Sequence, residues 1–499
     1  MDQTADQPID VAVVGAGPVG LFLARELIRR GHAVRLFEKN THQSEHSKAL
    51  AIMPRTMEVF ELAGVVAPFE AAANRVIAAS IVSHKRELGR IPFAPHESRY
   101  PYVAMVPQDV TERLLHDALI AAGGRVEYAT ELVRIDQRND GATLHLAAAG
   151  VESACEARFV VGCDGAHSTV RHLMDVPFAG NEYAQTFLLV DAEISGDQHG
   201  DAMQLCPHES GPLAIFPMSV SRRRLIAMVP PDFPNQPTLE QANDLLLRRG
   251  PRGLRAEKIL WSSTFRIHHR QTPHMQQGRL FIAGDASHIH SPFGAQGMNT
   301  GLQDAWNLAW KLDFVLRGWG SDGLLDTYSL ERHPIAKSVI FVTDAITRAM
   351  STPNMLAQTA RDTFIPLLTR LAPFRRVFVS NLSELGVSIG GSPIVDGPGR
   401  RAADAIVRIG GVRKRTYEVL GDRYLLICPA ADAAVASAAD ALARNYGNAV
   451  SVCTPGTDDE RRVRLVRPDA YVAYDRVLGE GAAAFAAIRR LLRTQVRTV

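Results

Sequence analysis

Hydrophobic positions change period several times along this chain, and each change marks an element. Ile9 to Val14 is an apolar run of strand length that enters Gly15-Ala16-Gly17-Pro18-Val19-Gly20. Leu23, Ala24, Leu27 and Ile28 then recur at helical spacing, and Ala33 to Phe37 is a second short strand ending in Glu38. Phe159 to Gly162 runs as a strand into Asp164-Gly165, with Ser168 placed to cap a helix. Residues 181–269 break into short strand-like runs, Thr186–Ile194, Leu213–Phe216, Leu225–Val229 and Lys258–Ile267. Pro207, Gly211-Pro212 and Pro230-Pro231 separate them, and one helix, Leu239 to Arg249, interrupts them. Arg279 to Ala283 is again a buried strand. It ends in Gly284-Asp285, crosses a turn rich in Pro and Gly (Pro292, Gly294, Gly297), and a helix opens near Met298-Asn299-Thr300. Leu302, Ala305, Ala309 and Leu312 share one face of that helix, while Asp304 and Asn307 lie on others. Residues 325–385 read as mostly helical. Beyond Pro393 come strands at Tyr424–Cys428, Val463–Val466 and Tyr471–Tyr474, then an Ala-rich helix.

These periods predict an α/β fold. A Rossmann-like unit occupies residues 1–180 and returns at 270–390. An antiparallel β-sheet domain is inserted at 181–269, and a separate tail fills 391–499. The formal charge of +2, with no long basic run, argues against nucleic acid as a partner. Arg222-Arg223-Arg224, the densest cluster, reads as a solvated strand end. The five cysteines (Cys155, Cys163, Cys206, Cys428, Cys453) form no CxxC or zinc spacing, which predicts a reduced, cytoplasmic protein. His288-x-His290 and His268-His269 lack a carboxylate or Cys at ligand spacing, so no metal is expected. No apolar run reaches membrane-spanning length, and Met1-Asp2-Gln3 opens no signal peptide.

The chemistry begins at the first turn. Gly15, Gly17 and Gly20 between a strand and a helix, with Glu38 after the next strand, form a dinucleotide fingerprint in its proper context. The glycines permit the tight turn and close pyrophosphate approach, the helix start receives phosphate, and Glu38 suits a ribose hydroxyl pair. The fingerprint alone does not separate FAD from NAD. Asp285, at the carboxyl end of a strand, can accept hydrogen bonds from a polyhydroxylated chain. The helix start at Gly297 suits a ligand that becomes anionic during its chemistry.

Gly284-Asp285, the Pro-bearing loop, Gln296-Gly297-Met298-Asn299 and Asp304-x-x-Asn307-Leu308-x-Trp310-Lys311-Leu312 together resemble the flavin motif of the single-component FAD-dependent aromatic hydroxylases. That group contains para-hydroxybenzoate hydroxylase and phenol hydroxylase. Ser47-Lys48-Ala49, Gln108-x-x-x-Glu112-Arg113, Asp164-Gly165 and Tyr328-Ser329-Leu330-Glu331-Arg332-His333-Pro334 are similar to other motifs of the family. The resemblance implies FAD held by Lys48, Gln108, Asp164, Asp285, Gly297, Met298 and Asn299, besides the dinucleotide residues. Pro292, Gly297 and Met298 would border the reacting oxygen. NADPH or NADH would bind transiently, and O2 would react through a flavin C4a-hydroperoxide to hydroxylate a phenolic or polyketide-type ring. The inserted sheet would wall the substrate pocket with Met203, Leu205, Phe216, Met218 and Met228. The tail would be thioredoxin-like and, without CxxC, structural.

Three departures stand out: Lys48 and His167 where relatives often carry Arg, and Gly294-Ala295 where many have Gly-Gly. Several matters stay open at this level. They include the general base (His208, Tyr183, His290 or Arg222), and monomer versus homodimer. Baeyer–Villiger or epoxidising chemistry, a flavin oxidase or dehydrogenase, and a flavin-binding interaction protein without turnover also remain.

Overall fold

The computed structural model describes residues 9–43, 49–94, 97–196, 200–289, 291, 294–352, 354–429, 433–457, 461–477 and 481–493, with side chains described at all of these except 181–185, 267–268 and 481–482. The first sheet grows around Ile9–Val14. Val34–Phe37 pairs with it in parallel on one side and Val151–Gly162 on the other, with Leu280–Ile282 parallel beyond. A parallel strand is covered on both faces, which is why Val11 to Val14 are all buried and show no alternation.

Two helices rise from this sheet and cross closely, Pro18–Arg29 and Gly297–Leu316. Glycine makes that crossing possible. A Cβ on Gly301 would stand 2.8 Å from Val19 Cγ2 and 3.0 Å from the Gly284 Cα.

The second sheet runs in the order His288–Ile289, Arg255–Gln271, Ala179–Ser195, Arg222–Val229, Leu213–Pro217, Ala202–Cys206, Ala78–Ser83, Arg86–Pro92. It is therefore wider than the inserted stretch at 181–269. The hairpin at 78–92 joins through a parallel pairing of Ala202 with Ala78, so two strands from within 1–180 complete it. Nothing local to that hairpin announces such a partner, because the pairing spans more than a hundred residues of chain. The helix Leu239–Arg249 forms where its apolar spacing places it, opened by a Thr238–Gln241 capping box.

In the tail, Tyr424–Ile427 and Val450–Pro455 pair in parallel around helix Ala433–Tyr446. Arg462–Val466 and Val472–Val477 add antiparallel strands before helix Gly481–Arg493, a thioredoxin-like order. Its cysteines are buried, and burial pushes the Cys428 thiol up to about 11 and the Cys453 thiol up to about 12. Neither has thiolate character at neutral pH.

The tail is joined to the first domain by buried charge. Arg467 grips Glu331 with two hydrogen bonds of 2.6 and 2.8 Å and also binds Asp469; Lys311 donates to Glu331 at 2.8 Å. Asn307 and Trp310 donate to Asp469 from the Gly297–Leu316 helix. Burial alone would raise the Glu331 carboxyl, but Arg467 and Lys311 outweigh it and hold it well below the usual range. Burial lowers Lys311 to about 8. A second link runs from Arg401 to Glu58 and from Arg55 to the Asp469 carbonyl.

Candidate active site

At the first turn, Gly15 has φ +100° and its missing Cβ would stand 2.6 Å from the Cys163 carbonyl oxygen; a Cβ on Gly20 would stand 1.9 Å from the Gly15 carbonyl oxygen. These two glycines serve the fold itself. Gly17 differs, because a Cβ there would meet nothing within 4 Å, and it caps the helix start with Pro18 following. Its open side is where a pyrophosphate can approach bare backbone. Glu38 is drawn to the same turn: its Oε2 accepts the Ala16 N–H at 2.8 Å, and Oε1 accepts the Asn40 backbone N–H at 2.9 Å.

The second half of the bed starts at Gly284–Ala286, one tight turn after the strand Leu280–Ile282. Asp285 is exposed there between buried neighbours. Beneath it, Asp304 is wholly buried and accepts from the Gly284 N–H at 3.2 Å, from Arg332 Nε at 2.6 Å, and pairs with His288 Nε2 at 2.7 Å. Burial would raise this carboxyl, yet Arg332 and His288 together hold it low.

The helix Gly297–Leu316 then presents its first-turn N–H groups, which have no intrahelical acceptor, at Gly297, Met298 and Asn299. The Asn299 side chain is spent on the protein. Its Oδ1 accepts from the Met53 N–H at 2.8 Å and its Nδ2 donates to the Ala51 and Ala295 carbonyls at 2.9 and 3.0 Å. Only its backbone is left to face a ligand.

Two other sequence candidates are also occupied. Gln108 accepts from the Ala49 N–H at 2.9 Å and donates to Glu112 at 2.8 Å, fixing the loop before it. Asp164 takes the Ser168 hydroxyl at 2.5 Å and the Thr169 and Val170 N–H groups at 2.7 and 3.1 Å, so it shapes the turn into helix Thr169–Leu173. Lys48, Pro292 and His290 lie outside the described residues. An open Gly17 face, an exposed carboxylate at a strand end and a helix start with unspent N–H groups fit a flavin dinucleotide.

Ala295 has φ +51°, the left-handed region that favours glycine. Ala295→Gly is expected to stabilise the protein by about 0.5–1 kcal/mol, the backbone strain relieved less the chain entropy gained on unfolding. Denaturant midpoints of the two proteins check this.

The far wall is apolar. Met203, Phe216 and Met228 are buried in one cluster with Phe187 and Leu189, and Leu205, Met218, Trp261, Phe265 and Ala295 pack against it half-buried. Ala295 is thus shared between the flavin bed and the sheet's inner face. Of the base candidates, Arg222 is exposed at a strand end, and His208 is held by the Ser210 N–H with its pKa lowered by burial. The Tyr183 side chain is outside the described set.

Arg224 was missed. Rather than solvated, it is fully buried, forks onto Asp191 at 2.7 and 2.8 Å, and donates to the Ala49 carbonyl at 3.2 Å. Stepping back by two from inward-facing Met228 and Ile226 leads to Arg224, so strand alternation carried that signal.

Residues 8–343 match the FAD binding domain family, and residues 396–495 match the aromatic-ring hydroxylase C-terminal domain. The 6-methylpretetramide 4-monooxygenase of Streptomyces rimosus is 32% identical, covering 98% of this chain and 90% of the relative. This chain belongs to the FAD-dependent aromatic-ring monooxygenases. Among these monooxygenases, a rifampicin monooxygenase of Streptomyces venezuelae is also 32% identical, over 83% of this chain and 86% of its own. The OxyS anhydrotetracycline hydroxylase structure from Streptomyces rimosus superposes with a TM-score of 0.81 at 29% identity, covering 98% of this chain and 99% of that one. Among the described residues, no helix of this monooxygenase is long and apolar enough to cross a membrane, and no group of His, Cys, Asp and Glu could hold a metal ion.

Proposed function

We propose that this monooxygenase hydroxylates a phenolic or polyketide-type aromatic ring, drawing electrons from NADPH or NADH and one oxygen atom from O2 in the cytoplasm. The observation that carries the reading is the position of Ala295, which belongs both to the turn before the flavin helix and to the apolar cluster of the sheet's inner face. An apolar wall against the flavin bed suits a flat ring and keeps water from the reacting centre.

FAD, when bound, supplies the electron transfer and oxygen activation; this chain supplies position and electrostatics. Glu38 and the Gly17 turn would take the adenosine and pyrophosphate, and Asp285 the polyhydroxyl chain. The N–H groups of Gly297, Met298 and Asn299 would hold a negative edge of the reduced ring system, reinforced by the helix dipole. Met203, Phe216, Met218 and Met228 would contact the substrate, and Pro292, Gly297 and Met298 the reacting oxygen. Arg224 would keep the loop at Ala49 against the sheet.

The test is NAD(P)H oxidation by the FAD-loaded enzyme against a set of single-ring and fused-ring phenols under labelled O2. A suitable phenol should accelerate oxidation strongly and carry one labelled oxygen in the product. Equally fast oxidation without any phenol, with peroxide as the only oxygen product, would make the protein an oxidase.

A further inference from the structure

Two residues beside the flavin helix hold left-handed backbone without being glycine: Ala295 just before it and Glu384, φ +59°, against its side. For a glutamate that conformation is strained, and it persists only where its surroundings over-determine it. Glu384 is 2% exposed. Gln303 Nε2 donates to its Oε2, and Thr300 Oγ1 lies 3.5 Å from its Oε1. Alongside, Gln296 Nε2 donates to the Asn381 carbonyl at 2.8 Å, and the Arg55 N–H donates to the Ser383 carbonyl at 3.1 Å. The segment 381–384 is thus tied to the start of helix Gly297–Leu316 through Gln296, Thr300 and Gln303, and to helix Pro54–Ala63 through Arg55.

That segment is the carboxyl end of helix Ala372–Leu382. One turn apart on the same helix, Phe374 and Phe378 hold their rings nearly parallel, 23° and 6.4 Å between centroids. Both pack, with Leu382, against the cluster that contains Met203 and Phe216, on which Ala295 also packs. A single helix therefore touches the apolar cluster proposed to meet the substrate with two rings, and the flavin bed with a buried carboxyl.

We infer that Glu384 is a positioning residue that couples occupancy of the aromatic pocket to the setting of the flavin bed. A ring entering beside Phe374 and Phe378 displaces helix Ala372–Leu382, and the Glu384 clasp passes the displacement to the first turns of the flavin helix. This rests on the aromatic-hydroxylase reading of the site.

Burial pushes the Glu384 carboxyl up to about 8; the charged groups facing it are Arg332 on helix Gly323–Met350, which opposes the rise, and Asp304 on the flavin helix, which adds to it. Below that pH the carboxyl is neutral, able to donate to Thr300 while accepting from Gln303, and glutamine reproduces both bonds. With a folded pKa raised above the ordinary 4.5, its stabilising contribution is full below that value and is lost as pH rises through about 8.

The test needs no substrate. Amide hydrogen exchange of residues 294–303 and 372–384, corrected for intrinsic rates, is compared in wild type, Glu384→Ala and Glu384→Gln. The alanine variant should loosen both segments together by about tenfold, and the wild type should do so as pH passes 8, while the glutamine variant does neither. In the FAD-loaded enzyme without any aromatic compound, NADPH should reduce the flavin about tenfold faster in Glu384→Ala, with peroxide rising in step. Glu384→Gln and Val377→Ser, the latter on the exposed face of the same helix, should match wild type. Should the alanine variant not fold, Gln303→Leu removes one end of the clasp and must give the same paired loosening. Loosening confined to one segment, or reduction unchanged in a variant that holds FAD, overturns the coupling. A wild type whose FAD no nicotinamide donor reduces overturns the hydroxylase reading instead.

Discussion

Arg467→Ala is expected to lower the unfolding free energy by about 3–5 kcal/mol, the largest effect of any single substitution outside the glycine turns. The side chain is fully buried, forks onto Glu331, binds Asp469, and lies 5.1 Å from the Trp310 ring centroid. Removing it leaves Glu331 with Lys311 as its cation and Asp469 with only the neutral donors Asn307 and Trp310. Either the two carboxylates stay charged without the Arg467 fork or they take up protons, and both outcomes favour the unfolded chain. Because Lys311, Asn307 and Trp310 stand on the flavin helix, FAD retention should fall along with the melting temperature. Arg467→Lys should recover only part of the loss, since a point charge cannot span both carboxylates. Calorimetric melts of the three proteins decide it, and a shift of less than a degree or two in Arg467→Ala would show the cluster to be solvated in solution.

Gly17→Val should leave the fold standing and weaken FAD binding by about ten- to a hundredfold, the equivalent of about 1–3 kcal/mol of overpacking against the ligand. Gly17 has φ −71°, which valine accepts, and the protein itself leaves the space beside it open. Gly20→Ala makes the contrast, because its methyl would collide with the Gly15 carbonyl and disrupt the turn in the absence of any cofactor. Melting of the FAD-free proteins, together with FAD titration followed by flavin fluorescence, separates the two. Unchanged affinity in Gly17→Val would mean that the pyrophosphate lies elsewhere.

What could be read from sequence was what local physics dictates. The Gly15–Gly20 turn, the helix Leu239–Arg249 with its cap, and the strand into Gly284-Asp285 carry their signals within one or two turns of chain. The hairpin at 78–92 carried no such signal for its place in the second sheet, since a parallel partner more than a hundred residues away leaves no local trace. Charge was misleading for a different reason, since it masked the strand alternation that places Arg224 on the inner face. Arg224 looks like its exposed neighbour Arg222 until Asp191 is brought across from the adjacent strand. Asn299, Gln108 and Asp164 stand in ligand-binding motifs, yet their side chains are largely consumed in shaping the turns that offer backbone to the cofactor. Glu384 gave no sign at all: buried carboxylates at left-handed positions have no sequence pattern.

The clustered charges of Lys311, Glu331, Arg467 and Asp469 also bear on biosynthesis. Lys311 and Glu331 leave the ribosome well over a hundred residues before Arg467 does. Until then Glu331 lacks the Arg467 fork that offsets its burial, and a flavin helix closing early would bury that carboxylate with Lys311 as its one cation. The nascent flavin-binding region should therefore remain open, and dependent on chaperones, until the tail has been made and docked. A nascent chain arrested before Arg467 would be sensitive to protease along helix Gly297–Leu316, whereas release of the whole chain would let FAD capture and tail docking occur as one late event.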